Sequence, residues 1–455
     1  MKKVIIRIVS VLVFCALLIF CGKVLRYLVT DDISSYTRIM IHEMYEQDNI
    51  DVLFVGSSHC YRSFVPEILD EELGVNTFNA GTSSQAMDGS FMLIKEAARY
   101  HDIQHVYLEV YYNGMFEVYK ERTQMTPTYI ISDYLRPSID KFLYLLNASG
   151  KEQYVHSFIV ARRNWSGLYW PDFIKEMITQ KSTEAYRTYD YSNVTSEEEW
   201  YVGKGYVAGQ GAVDNWNYFS TRGWEPVNFE NVSQDWLDSL TDIMDFCERK
   251  GIELTLVSAP MSDFLVTGTG GYDEYIEMIN DIISDREVEY YDFNLCREEY
   301  FPSTSELFKD VDHLNQYGAE VFSRSFAKLV NGEVSPEEMF YGTYEEKLEN
   351  LGPAVFGISY YDDTSEDGTA VRKCKIISSG VPGMEYQVQM EPEEGETYMI
   401  QEFSENSYFE IEPPTLFRSA SRLPIATRIC QSDWYPACTG LSIPGFRFPY
   451  VSRCV

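Results

Sequence analysis

Between residues 49 and 110 short apolar runs alternate with longer amphipathic stretches, the rhythm of an α/β domain. The runs Val52–Val55, 75–78 and 105–110 read as buried strands. Between the last two, Met87, Phe91, Ile94 and Ala98 fall on one face of a helix predicted over 82–100, packed behind the second strand. The rhythm stops at Asn113 and resumes near residue 236 with a helix over 236–249, a strand over Glu253–Ser258, a helix around 273–283 and a strand over 288–293. A last helical pattern carries apolar Val321, Phe322, Phe326 and Leu329. Five parallel strands with right-handed crossovers and helices on both faces are therefore expected within 49–332, interrupted by an insertion over 113–235.

The ends of the chain follow other patterns. An uncharged stretch, 8–22, lies between Arg7 and Lys23; apolar residues up to Val29 and snorkelling of the two cations extend it to the ~20 residues a membrane span needs. No small-residue cleavage pattern follows, and Phe20 before Cys21 fits a lipidation signal poorly, so residues 1–30 are read as a retained signal anchor. Positive residues at the start favour a cytoplasmic N-terminus and an extracytoplasmic body. Met40, Ile41, Met44 and Tyr45 predict a helical stalk over 31–48. Beyond the α/β region, 333–352 reads as an acidic linker helix opened by Ser335-Pro336-Glu337-Glu338. Residues 353–412 alternate polar and apolar positions over 354–360, 371–378, 386–390 and 398–403, a small antiparallel β domain.

Composition changes this picture in three places. The formal net charge of −33 argues against nucleic acid and against a polybasic grip on anionic lipid. The insertion holds five of the seven tryptophans, Trp165, Trp170, Trp200, Trp216 and Trp224, and the glycine-rich stretch 203–209. Leaving the sheet at its carboxyl edge, it can wall or cover a site there; its aromatics could form a platform for a sugar ring, but most are read as the insertion's own core. The tail 413–455 has five arginines, no lysine, one acidic residue and three of the nine cysteines, and is expected to be non-native or disordered, with a disulfide through Cys430, Cys438 or Cys454 as the alternative.

Candidate chemistry sits at strand ends. Gly56-Ser57-Ser58-His59 closes the first strand, placing Ser58 at the carboxyl edge where open α/β sheets bind ligands. The second run ends in Asn79-Ala80-Gly81, where glycine permits close backbone approach. Far downstream, Asp310 and His313 stand three apart; a carboxylate at that offset can hold Nδ1 of the imidazole and leave Nε2 to take a proton from a serine hydroxyl. Asp312 is the rival acid, less favoured because adjacent side chains generally diverge. His59 should point away from Ser58, His101 and His105 lie at the opposite strand end, and His42 and His156 have no evident partner. No cysteine or histidine cluster has metal-ligand spacing, so neither metal nor cofactor is expected.

With these blocks in this order, the chain resembles the SGNH or GDSL family of esterases and acyltransferases over roughly 49–115 and 240–332. The GSSH and DHLN forms look most like its membrane-anchored branch, which includes the alginate O-acetyltransferases and the D-alanyl transfer protein of teichoic-acid assembly. The resemblance implies a flavodoxin-like three-layer fold, Ser58 as nucleophile, His313 as base, Asp310 as its orienting acid, and an oxyanion hole from the amides of Ser58 and Gly81 with Asn79 or Asn113 assisting. The family's G-x-N-D block after the third strand is missing; Tyr111-Tyr112-Asn113-Gly114 stands there, which makes Asn113 a substitute donor at best. The implied substrate is an acyl ester of cell-envelope glycan or an acylated small molecule, with a membrane-bound acyltransferase as possible partner. The competing expectation is a catalytically silent scaffold that binds glycan or such a partner.

Overall fold

The structure, a computed structural model, describes residues 2–118, 120, 122, 124–212, 217–219, 224, 227–365, 368–390, 398–411 and 425–430. The chain forms two compact units, Met1–Gln210 with Asn231–Val257 and Gly211–Glu230 with Ser258–Val455. In chain order the first opens with α1 (Lys2–Val29) and α2 (Tyr36–Glu46), followed by β1 (Val52–Val55), α3 (Ser58–Ser63), α4 (Pro66–Leu73), β2 (Thr77–Asn79), α5 (Met87–Tyr100) and β3 (His105–Glu109). The insertion then contributes α6 (Thr126–Ser132), α7 (Ile139–Ala148), α8 (Tyr154–Phe158), α9 (Val160–Arg163), α10 (Pro171–Lys181) and α11 (Glu184–Arg187). A hairpin of β4 (Glu199–Gly203) and β5 (Tyr206–Gly209) ends this stretch. The short β6 (Asn217–Phe219) belongs to the second unit, and α12 (Gln234–Lys250) and β7 (Glu253–Ser258) return to the α/β layer.

The remaining elements are α13 (Asp263–Thr269), α14 (Tyr272–Ile283), β8 (Glu289–Asp292), α15 (Gln316–Val330), α16 (Pro336–Met339), α17 (Tyr344–Leu351) and the strands β9 (Val355–Thr364), β10 (Ala370–Ser378), β11 (Glu385–Met390), β12 (Tyr398–Ser404), β13 (Tyr408–Ile411) and β14 (Ile425–Cys430). The five predicted strands form one sheet of order β2-β1-β3-β7-β8, surrounded by helices. Its pairs β1/β2, β1/β3 and β3/β7 are parallel, with Val52 opposite both Thr77 and His105. All four residues of β1 are buried, as a strand covered on both faces requires. Smaller sheets of order β13-β10-β9-β6 and β12-β11-β14 make up the rest.

Several boundaries differ from the sequence reading, each for a local reason. The second strand is 77–79 and not 75–78, because Asn76 serves the turn: its N–H donates to Asp51 Oδ2 at 2.8 Å and its carbonyl accepts the Asp51 N–H at 2.9 Å. Helix α5 starts at Met87, five residues late. Before it, the Thr82 hydroxyl donates to Gln85 Oε1 at 2.8 Å, and Gln85 Nε2 reaches Ser90 in the first turn. The predicted stalk is no free-standing helix: Ile39, Met40, Ile41 and Met44 of α2 are buried, and Arg38 stacks over Tyr186 and Tyr189. The acidic linker is likewise folded in. Ser335 makes a full capping box with Glu338, and the buried Lys347 of α17 binds Asp263 at 2.7 Å and the Asn294 carbonyl at 2.9 Å.

The β region buries Ile358, Cys374, Ile376, Val388 and Phe409 in a core of its own. Ile377 packs separately with Phe264 and Val311. Of the tail, β14 pairs antiparallel with β11, from Glu385 opposite Cys430 to Met390 opposite Ile425; the disulfide alternative and the rest of 413–455 lie outside the described residues.

Candidate active site

In the first unit, the turn after β1 turns two neighbouring serines to different uses. Ser57 is the N-cap of α3: its hydroxyl oxygen accepts from the His59 N–H at 3.3 Å. Both its own N–H, at 2.8 Å, and its hydroxyl, at 2.9 Å, donate to Glu109 Oε2 at the end of β3. Ser57 and Glu109 are buried, whereas Ser58, the first helical residue, is half-buried. Gly56 is forced by the same carboxylate, since a Cβ there would lie 2.5 Å from Glu109 Cβ and Oε2. His59 turns inward and stacks on Tyr111 with ring centroids 4.3 Å apart.

The end of β2 is built from backbone contacts. A Cβ on Gly81 would approach the Tyr61 N–H nitrogen to 2.8 Å, so glycine is what lets this segment lie against α3. Its N–H donates to Asn79 Oδ1 at 3.0 Å, and Asn79 Nδ2 donates to the carbonyls of Cys60 at 2.9 Å and Phe64 at 3.0 Å. Asn79, fully buried, thus uses both amide hydrogens and fastens α3 to β2 instead of serving as the oxyanion donor expected of it. Asn113, in the 3-10 turn Tyr112–Phe116, donates to the Tyr111 hydroxyl at 3.0 Å. The β4–β5 hairpin closes on this end too: the Lys204 carbonyl accepts the Asn79 N–H at 2.9 Å. Gly205, at φ +86°, sits where a Cβ would fall 1.6 Å from the Asn79 carbonyl oxygen.

In the second unit, Phe308 and Leu314 form an antiparallel bridge that pinches 309–313 into a tight loop, reinforced by the Lys309 N–H donating to the His313 carbonyl at 2.8 Å. Asn315 caps α15 through the Gly318 N–H, and Gly318 has no room for a Cβ against the Leu307 carbonyl, which accounts for the Asn315-to-Gly318 spacing. At the loop's centre Asp310 Oδ1 accepts from the N–H groups of Asp312 and His313 and lies 2.8 Å from His313 Nδ1. Asp312 Oδ1 lies 3.0 Å from the same nitrogen, so the adjacent carboxylate does not diverge as expected: the imidazole has two acids. Burial disfavours the imidazolium, but hydrogen bonds to Asp310 and then Asp312 outweigh it, and His313 is pushed up to about 9. With Nδ1–H donated to carboxylate, the basic lone pair of the neutral ring resides on Nε2.

The structure therefore brings Ser58, Asn79 and Gly81 to one strand edge, and Asp310, Asp312 and His313 into one hydrogen-bonded group. The other histidines have ordinary roles. His101 Nε2 lies 2.7 Å from the Met44 carbonyl, His105 Nε2 lies 2.9 Å from Thr255 Oγ1, and His42 stacks on Tyr189. Sequence reasoning missed Glu109, although a signal existed: it is the one acid in an otherwise apolar run, at the strand end that also carries Ser58. Compared with known proteins, the chain matches no family model, and no curated protein matches it.

Proposed function

We propose that the protein is a membrane-anchored serine acyl esterase or O-acyltransferase of SGNH type that acts on cell-envelope polysaccharide. The observation that carries the reading is the 2.8 Å contact between Asp310 and Nδ1 of His313, the arrangement that turns an imidazole into a directed base. Two features support it. Ser58 stands half-buried at the carboxyl end of β1, and the strand order β2-β1-β3-β7-β8 is the 2-1-3-4-5 order of flavodoxin-like folds.

In this reaction Ser58 Oγ attacks the ester carbonyl as Nε2 of His313 takes its proton. The tetrahedral intermediate then collapses, the leaving alcohol departs with that proton, and an acyl-serine remains. Water resolves it in a hydrolase, a sugar hydroxyl in a transferase. The Gly81 N–H takes part in the oxyanion hole only by sharing its bond to Asn79, so the Ser58 amide is the principal backbone donor.

The second reading, a silent scaffold that binds glycan or a membrane acyltransferase, is favoured by the hydrogens of Asn79 and Gly81 already being engaged. Fluorophosphonate labelling followed by intact mass separates the two. An active enzyme gives one adduct that disappears in Ser58→Ala and in His313→Ala; folded parent protein without an adduct establishes the scaffold.

A further inference from the structure

Helix α1 contains a stretch, Lys3–Val29, long and apolar enough to cross a membrane, and its last turn is built into the insertion. The buried Lys181 of α10 donates to the Tyr27 carbonyl at 3.0 Å and the Thr30 carbonyl at 2.5 Å, and pairs with Asp32 at 2.8 Å. An ammonium on the final carbonyls of a helix satisfies acceptors that the helix itself leaves open and complements its dipole. Arg26 donates to the Asp133 carbonyl, while α9, the 3-10 turn Trp165–Tyr169 and α10 pack against α1. Removal of α1 would leave Lys181 buried without the two carbonyls it serves, so the helix belongs to the mature fold.

Around this exit the insertion exposes a continuous run of large apolar side chains. On α7, Tyr144, Leu145 and Ala148 face inward, yet Ile139, Phe142 and Leu143, at helical spacing on another face, point to the surface, with Ile139 73% exposed. Phe142 meets Phe158 of α8 with ring centroids 5.2 Å apart, and the exposed Ile159 leads directly into α9. Next come Tyr169 and Trp170, 70% and 68% exposed, with Trp165 donating its indole N–H to the Tyr169 hydroxyl at 3.2 Å. Soluble surfaces rarely carry so many large apolar groups together.

We propose that this face of α7, α8 and the 165–169 turn lies in the headgroup–acyl boundary of the membrane from which α1 emerges, forming a collar around the anchor. Three observations select a bilayer as the occupant. The face is continuous with the membrane helix through α9 and the 165–169 turn. It pairs aliphatic groups with Trp and Tyr, the residues that favour the membrane–water interface. Residues 139–181 hold six Lys and Arg against four Asp and Glu, in a chain whose net charge is −33, so this segment escapes the general acidity that would repel an anionic lipid surface. The collar fixes the distance from the bilayer of whatever the first unit binds.

The test uses the full chain in nanodiscs of phosphatidylcholine brominated just below the headgroup, where bromine quenches indoles it touches. Helix α1 contains no tryptophan, so the anchor itself contributes no signal. Emission is expected to fall relative to unbrominated discs, and the joint substitution Trp165→Phe, Trp170→Phe to abolish that fall with an unchanged circular dichroism spectrum. If the double variant misfolds, Trp170→Phe alone must remove part of the quenching, its side chain being too exposed to support the fold. No fall in the parent, as when another protein covers the face, or the same fall after substitution, overturns the proposal.

Discussion

At the end of β1 one buried carboxylate, Glu109, receives two donors from Ser57, whereas in the loop before α15 one ring nitrogen, Nδ1 of His313, faces two carboxylates. The first arrangement balances donors against acceptors in a dry setting and acts as a rigid fastening. The second crowds negative charge around a titratable ring and sets its proton affinity. Substitutions near Ser58 should therefore appear chiefly as lost stability, and those around His313 chiefly as altered pH dependence.

The largest effect is expected where the hairpin meets β2. Gly205→Ala combines a positive φ with a clash against the Asn79 carbonyl, and should cost about 4 kcal/mol in urea unfolding. A loss under about 1 kcal/mol would show that the hairpin is not fastened there. Next, Glu109→Ala leaves the Ser57 N–H and hydroxyl without their acceptor in a buried position; about 3 kcal/mol is expected, with Glu109→Gln recovering part of it. Equal losses in the two variants would mean that hydrogen bonding is not what Glu109 contributes.

The histidine loop is tested by pH. Because the folded His313 is raised above its ordinary value of 6.5 to about 9, its contribution to stability is fully present below 6.5 and disappears as pH rises through 9. After discounting for the half-exposed Asp310, the change is on the order of 2 kcal/mol, and His313→Gln should flatten the stability–pH curve across that window. For the proposed enzyme the same shift means that fluorophosphonate labelling accelerates from neutral pH up to about 9, since the base acts only when deprotonated. The smallest effect is the most discriminating. Asp312→Asn and Asp310→Asn should each lower the His313 titration midpoint seen by NMR, Asp310→Asn by more, because its hydrogen bond is the stronger of the two raising influences. Identical shifts would make the two carboxylates equivalent partners.

Much of this was legible in the chain. Periodicity located all five strands of the parallel sheet, because a strand buried on both faces must be a short unbroken apolar run and the helices between must carry a stripe. Asp310 and His313 could be paired from their spacing alone, since three residues within one tight turn leave little freedom. The capping box at Ser335 was readable for the same reason: its partners are neighbours in sequence.

What the sequence by itself determined is thus whatever short-range geometry controls: strand and helix identity, helix caps, the apolar span of α1 and the Asp310–His313 contact. Tertiary structure alone decided that Glu109 holds Ser57 across 52 residues, that Asn79 is engaged as a fastener, that Asp312 joins Asp310 on one nitrogen, and that Lys181 seats the end of α1 from 151 residues away. Such contacts join groups that each have several acceptable partners, and the choice among them follows from which surfaces the packed core brings together.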